Sequence, residues 1–394
     1  MKKITVIALM TFFCLHASAQ WGSAGWYRVH NTNNSSNKNI DSFISVVGDQ
    51  SNFDTGNTDQ RWFYGCIKMR KPGEEISDPG TVIYLNQLGN SAVLSTQGVS
   101  TKTITGQYLS VSQNGTVDGK PVYSPYKSVL IYTMYLQVVG DLLDPGRQDT
   151  YAKYWLEPLT EANRNTYYFG VKPLNENIKD KDGYYWTTLY AGFAFKIPNE
   201  GGVEGAYTIE AITDEDGKTY ARPVKKWGRG QTVPISTPVL LQCSSLDPAD
   251  NVLIPTGAPN SSPYSGKNLL SGCYFNHNVS HATYGTYKIV TPNNQDNYRV
   301  LNVNSKGRIG FYKYNGENMS ANKAWLDLSK ASSSAKIGTV IVDFDNIEDQ
   351  TTAIREVEQQ KTEGDKTIYD LQGRRVENPS HGIYIVNGKK VIIN

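Results

Sequence analysis

The sequence has no apolar run approaching the ~18 residues that a membrane-crossing helix needs, so no segment is expected to span a bilayer. It also lacks a surplus of charge. Of 39 basic and 37 acidic residues, Lys2 and Lys3 fall in the first twenty positions, where there is no acid, and the remainder balance. A neutral chain without a basic cluster has no electrostatic footprint for nucleic acid and no polybasic segment for a membrane surface. Histidine is scarce, at five residues, of which His30, His277, His281 and His381 lie beyond the first twenty positions. The chain holds no Gly-x-Ser-x-Gly elbow, His-Glu-x-x-His zinc motif, phosphate loop or dinucleotide fingerprint. No catalytic residue, resident metal or cofactor is therefore assigned.

Cysteine is sparse as well. Cys14 lies within the leader-like segment, which leaves Cys66, Cys243 and Cys273, an odd number for an oxidising compartment. At most one internal disulfide can form among them. Cys243, at the end of Val239-Leu240-Leu241-Gln242-Cys243, and Cys273, opening Cys273-Tyr274-Phe275, could meet inside one sandwich. The alternative is two buried thiols acting as small hydrophobes, since nothing in the spacing demands a bridge.

What the chain does have is 26 tyrosines, 35 glycines and 17 prolines, the make-up of strands and turns. Residues 1–19 read as a secretory signal: a positive start at Lys2 and Lys3, an apolar stretch from Ile4 to Leu15, and Ala17-Ser18-Ala19 as a cleavage site between Ala19 and Gln20. The expected location is outside the cell, secreted or on the outer surface.

From Trp26 onward, short alternating runs bounded by Gly, Asn, Asp and Pro predict an all-β protein. Over 20–180 a strand pair recurs loosely three times, at Trp26–Asn31 with Phe43–Asp49, Thr81–Asn86 with Ala92–Ser95, and Tyr154–Pro158 with Tyr168–Val171. That recurrence suggests a β-trefoil-like domain. Its irregular spacing is taken up near 123–143, where Tyr126, Val129, Leu130, Thr133 and Leu136 could line the face of an inserted helix. Over 181–342 the strands are longer and more regular, with hairpin turns at Asp214-Glu215-Asp216-Gly217 and Ser305-Lys306-Gly307, which predicts a β-sandwich. Residues 343–366 form an acidic linker. Residues 367–394 form a β tail whose Asn387-Gly388, between apolar alternations, signals a hairpin.

In that tail, Tyr369, Asp370, Leu371, Gly373, Arg374 and Val376, followed by Gly382, Ile383, Tyr384, Ile385, Gly388, Lys389 and Val391, resemble the type A sorting domain of type IX secretion system cargo. The resemblance covers only the tail. It implies passage through the outer membrane by that secretion machinery, with removal of the tail and attachment to the cell surface as the family's further steps. The segments Asp78–Tyr84, Tyr168–Pro173 and Thr237–Ser245 resemble uncharacterised secreted proteins of bacteria that use this route.

Sites of chemistry are few. Cys273, His277 and His281 would share a face only on a helix, and Gly272, Tyr274, Phe275 and Asn278 favour a strand running into a loop, so no metal site is assigned. Asp180-Lys181-Asp182-Gly183 and Asp214-Glu215-Asp216-Gly217 lack the remaining calcium ligands at loop spacing and read as solvated turns. The aromatic side chains offer flat faces for sugars. Trp62, in the lectin-like Gln60-Arg61-Trp62, and Trp227, flanked by Lys225, Lys226 and Arg229 and expected at the surface, are the candidate ligand contacts; the other tryptophans are assigned to cores. The pattern points to a non-catalytic binding or adhesion module for a glycan or protein ligand. Two alternatives stand beside it: an extracellular hydrolase of glycans or peptides, with carboxylates brought together only by the fold, and a structural subunit of a surface assembly.

Overall fold

The computed structural model describes residues 24–31, 42–46, 67–88, 91–96, 99–100, 109–117, 120–128, 133–139, 142–146, 154–259, 261–274, 296–316, 319–331, 338–351, 368–369, 375–376, 382–386 and 389–393. The signal segment with Ala19 and Gln20, the candidate Trp62, and His277 and His281 lie outside these residues. Among the described residues the chain is all-β, and its helical residues are single 3₁₀ turns at Pro79–Thr81, Glu161–Asn163 and Leu328–Lys330. No described helix is long and apolar enough to cross a membrane.

The first sheet contains β1 (Gly25–Asn31), β2 (Ser42–Val46), β3 (Ile67–Arg70), β4 (Ile83–Leu88), β5 (Ser91–Thr96), β6 (Val99–Ser100), β7 (Leu109–Val117), β8 (Lys120–Ser128), β9 (Thr133–Val139), β10 (Leu142–Gly146) and β11 (Tyr154–Pro158). Its pairings close on themselves. Strand β1 pairs with β4, β4 with β5, β5 with β7, β7 with β8, β8 with β11, and β11 returns to β1, every step antiparallel. The hairpins β2–β3 and β9–β10 stand beside this ring and meet through Leu142 opposite Lys68. Closure leaves a sheet with few free edges, the arrangement that best protects strands from pairing with other chains.

Among the described residues of 123–143 there is no helix of the kind that the apolar spacing predicted. The described part of that segment, 123–128, 133–139 and 142–143, belongs to β8, β9 and β10, with Tyr126 opposite Tyr135 and Leu142 opposite Val139; Val129 and Leu130 lie outside the described residues. Pro125 explains part of the difference: it lacks the N–H a helix interior requires, and here it sits in β8 opposite Val111.

The following segment supplies β12 (Phe169–Gly170), β13 (Tyr185–Leu189), β14 (Ala194–Lys196), β15 (Val203–Glu215), β16 (Lys218–Gly228), β17 (Thr232–Val233), β18 (Val239–Cys243), β19 (Val252–Thr256), β20 (Leu270–Gly272), β21 (Tyr298–Val303), β22 (Ile309–Lys313), β23 (Ala324–Asp327) and β24 (Val340–Val342). A small sheet runs β12-β19-β14-β17, and a large one runs β13-β18-β15-β16-β24-β22-β21-β23-β20. The pairing of β16 with β24 is parallel. Both predicted hairpin turns form: Asp216 and Gly217 have φ of 51° and 72°, the signs a type I′ turn requires, and Gly307 has φ of 75°. The second turn is fixed by Asn304, whose Oδ1 accepts from the amides of Lys306 and Arg308 at 2.9 Å each.

Strand alternation sorts the side chains of the large sheet into two cores. On β18, Val239, Leu241 and Cys243 join one cluster while Leu240 joins the other; on β15, Val203 and Ala206 join the first, Tyr207 and Ile209 the second. Burial on both faces is why β18 reads as an almost continuous apolar run. The second core gathers Trp186 from β13 and Leu270 from β20, the two ends of the strand order, so the large sheet curls around it. The first core reaches back to Trp26, Val82 and Leu159 and packs them with Phe169, Phe193 and Leu253. Residues from both sides of the 180/181 boundary drawn on sequence grounds thus meet in the first core.

The described residues up to Ile347 form one compact unit, and 348–394 form a second. Phe344 and Ile347, within the segment assigned to the acidic linker, pack against the second core of the first unit. The second unit contains β25 (Glu348–Asp349), β26 (Ile368–Tyr369), β27 (Arg375–Val376), β28 (Gly382–Val386) and β29 (Lys389–Ile393). Its sheet runs β27-β26-β28-β29, and Val386 lies opposite Lys389, the register of a two-residue hairpin.

Candidate functional site

A cavity of about 270 Å³ opens where three parts of the first unit meet. The turn before β4 contributes Ser77 and Pro79, β12 and the residues after it contribute Phe169, Val171 and Leu174, and β13 with the turn leading into β23 contributes Thr188, Leu189, Asn322 and Lys323. Phe169, Val171 and Leu189 are members of the first core, so the cavity is an unfilled outer margin of that core. Leu174 is 48% exposed, one of few large apolar side chains left open to water among the described residues.

Each wall is fixed locally. Asp78 holds the first: its Oδ1 accepts the Gly80 amide at 2.9 Å, and its Oδ2 accepts from Ser45 Oγ at 2.8 Å and Arg70 Nε at 2.5 Å. Arg28, 3% exposed, reaches the same turn through Thr81 Oγ1 and the Ile76 carbonyl, both at 3.2 Å. Burial pulls its guanidinium down to about 10, opposed by Glu75, Glu157, Tyr168 and Asp78. The second wall is held by close backbone approach: the Gly170 amide donates to the Ile76 carbonyl at 2.8 Å, and a Cβ on Gly170 would lie 2.2 Å from the Pro248 carbonyl oxygen. Only glycine permits that contact.

The third wall turns at Asn322, which has φ of 56°, a left-handed conformation that Asn tolerates better than most residues. Its carbonyl accepts the Tyr190 amide, and its Nδ2 donates to the Tyr190 carbonyl, both at 3.0 Å. The neighbouring Thr188 hydroxyl accepts the Ala324 amide at 3.2 Å and is 2% exposed. These bonds set Lys323 along the cavity. Burial of its ammonium pulls it from 10.5 down to about 8, opposed by the titratable Cys243 thiol. Neither Lys323 nor any other lining residue is paired here with a wall carboxylate: the wall carries Lys172 and Lys323 and no acid.

The residues singled out from the sequence are placed elsewhere. Trp227 is packed against the first core, edge-on to Tyr264 with ring centroids 5.2 Å apart, so it is half-buried and not the free surface ring expected. Trp186 and Trp325 are core residues at 0% and 4% exposure. Cys243 and Cys273 are free, buried thiols. The disulfide does not form because β18 directs Cys243 into the first core, whereas Cys273 packs with Met319 and Trp325 in a separate cluster.

Burial raises both thiols from an ordinary value near 9 to about 12. Native protein treated with an aromatic disulfide reagent at pH 8 is therefore expected to leave Cys243 and Cys273 unlabelled, as read by peptide mass spectrometry, and unfolding should expose both. Because the folded thiols hold their protons above the pH at which unfolded ones ionise, their contribution to stability is full below pH 9 and declines from there towards 12. Rapid labelling of either cysteine in the native state would contradict this placement.

Two further polar clusters are structural. His30 Nδ1 lies 2.7 Å from Glu157 Oε1, but the imidazole is stacked on Phe43 at 4.2 Å and edged by Trp155 at 5.7 Å, so its faces are covered. Ser236, with φ of 57°, hydrogen-bonds through Oγ to Tyr274 Oη, and Tyr190 stacks on Tyr274 at 4.6 Å. Burial and the hydrogen bond to Tyr274 push the Tyr190 phenol far above its usual value, which removes it as a base for Ser236. The Asp180 turn is likewise saturated, Oδ1 accepting from the amides of Asp182 and Tyr184 and Oδ2 from Trp186 Nε1 at 2.7 Å. No group of three or more His, Cys, Asp and Glu side chains positioned for a metal ion occurs among the described residues.

Sequence reasoning missed Lys323, Thr188 and Asn322. Lys323 stands one residue before the strand Ala324–Asp327, where a lysine ordinarily reads as a solvated strand end, and only the fold turns it against the core. Compared with protein-family models and with curated proteins, the chain matches none.

Proposed function

We propose that the protein is exported and works outside the cell as a non-catalytic binding module for a glycan or protein ligand. The observation that carries this reading is the cavity at the junction of the closed first sheet, the small sheet and the large sheet. It is a concave site with apolar walls and a few polar groups, at the kind of boundary where ligand sites concentrate. The address rests on the leader pattern of residues 1–19 and on the tail, which resembles the type A sorting domain and would engage the type IX machinery.

In this reading the first sheet is β-trefoil-like. The segments β1–β4, β5–β7 and β8–β11 each give two strands to the six-strand ring, and the first and third carry the hairpins β2–β3 and β9–β10 between them. The large sheet curled around its core is the sandwich.

Screening the full chain against a glycan array and in pull-downs from surface extracts, with polysaccharide and peptide turnover assayed in parallel, tests the proposal. The expected result is retention of a ligand class without turnover. Turnover with no retained ligand would replace it with an extracellular hydrolase, and self-association alone would replace it with a structural subunit.

A further inference from the structure

We propose that the cavity at Lys323 binds a small monocarboxylate of monosaccharide size, a sugar acid, with the Lys323 ammonium as the counter-ion of its carboxylate. This rests on the binding-module reading and names the chemistry of its ligand.

Charge comes first. The wall contains Lys323 and Lys172 and no Asp or Glu, so it attracts anions and repels cations. Lys172 is exposed at the rim, whereas Lys323 is half-buried, with the Cys243 thiol of the first core nearby, where an ammonium without a partner is costly. A ligand carboxylate supplies the missing charge. Lys172 stands in water at the rim, where its charge is screened, so inside the cavity the one partly desolvated ammonium of Lys323 balances one negative charge, and a dianionic phosphate would carry uncompensated charge into a half-apolar site. A free amino acid is disfavoured because its own ammonium would enter beside Lys323.

Size and lining then narrow the body of the ligand. About 270 Å³ is at the lower end of ligand pockets and takes one ring-sized molecule. The walls alternate flat apolar surface, from Phe169 and Pro79, with the polar Ser77, Thr188 and Asn322. Thr188 Oγ1 accepts the Ala324 amide and keeps its proton for donation to a ligand oxygen. Apolar faces with polar edges are what a pyranose ring presents.

Of the titratable groups near Lys323, Cys243 faces it from β18 and Lys172 lies on the rim. Cys243 is held up at about 12 and stays neutral over the working range, so the pH dependence of binding reports Lys323. Carboxylate affinity should be flat below about 8 and fall up to tenfold per pH unit above it, as the free protein loses the ammonium proton.

The test is isothermal titration of the full chain with glucuronate and galacturonate, and with glucose and galactose as uncharged counterparts. The uronates are expected to bind at least tenfold more tightly than the neutral sugars, and Lys323→Met to lose at least tenfold of that affinity together with its pH dependence. Lys323→Arg, which keeps the charge, should retain more than Lys323→Met does. Absence of uronate binding, equal affinity for the neutral sugars, or unchanged uronate affinity in Lys323→Met would overturn the proposal. If Lys323→Met does not fold, the wild-type pH profile decides, and a profile flat through pH 9 overturns it. A ligand found on the array with no uronate binding would leave the binding-module reading standing and remove the carboxylate.

Discussion

Trp26→Ala is expected to lower the stability of the first unit by about 3–5 kcal/mol, the range for removing a large aromatic side chain from a core. Trp26 is 4% exposed, lies edge-on to Tyr84 at 5.0 Å and meets Phe193 at 5.7 Å. Its indole N–H is shared by the carbonyls of Thr256 and Gly257 at 3.2 and 3.0 Å. Those two bonds join β1 to the end of β19, so one side chain ties the closed sheet to the small one. Truncation opens a cavity and also leaves two carbonyls short of a donor, which adds a desolvation cost of about 1–3 kcal/mol if water does not replace it. Denaturant unfolding followed by fluorescence and by near-ultraviolet circular dichroism checks this. The transitions of the two probes should coincide in the wild type and separate in the variant, and a loss below about 1 kcal/mol would contradict the placement of Trp26. Trp26→Phe, which keeps the ring and loses the N–H, should fall between wild type and Ala.

Trp186→Ala should be comparably damaging, again about 3–5 kcal/mol, but for the second core. Trp186 is fully buried, with Tyr207 and Phe344 rings at centroid distances of 4.9 and 4.6 Å. Its indole N–H donates to Asp180 Oδ2, and the other oxygen of that carboxylate holds the amides of Asp182 and Tyr184. Removing the indole thus loosens the 180–184 turn as well as the core. Hydrogen exchange separates the two effects: amides of that turn should gain exchange in both Trp186→Ala and Trp186→Phe, whereas β15 and β22 amides should gain it mainly in Trp186→Ala. Unchanged turn exchange in both variants would rule out the carboxylate link.

These two tryptophans show how much of the fold the sequence carried. The short apolar run Val239–Cys243 marked a strand correctly, because a strand buried on both faces is apolar at nearly every position whatever its partner. The Asp216-Gly217 and Gly307 turns were legible because positive φ selects glycine and its few substitutes. The 123–143 segment was misread because apolar residues in short strands can mimic helical spacing, and Pro125 was the local signal against it. The assignment of Trp186 and Trp325 to cores held, while Trp227 turned out half-buried because Tyr264, distant in sequence, comes to rest against it.

The candidate site was the least legible part. Its residues come from positions near 77, 170, 188 and 322, and no local rule couples such distant segments. Lys323 has the same letter whether it is fully solvated or half-buried near the Cys243 thiol. By itself the sequence determined the strand class, the turn positions and the even balance of charge beyond Lys2 and Lys3, because each follows from local backbone preference or from counting. The tertiary structure decided where Lys323 gives up part of its water, in a wall that carries no acid. Desolvation depends on everything packed around a group, and that is set only when the sheets close.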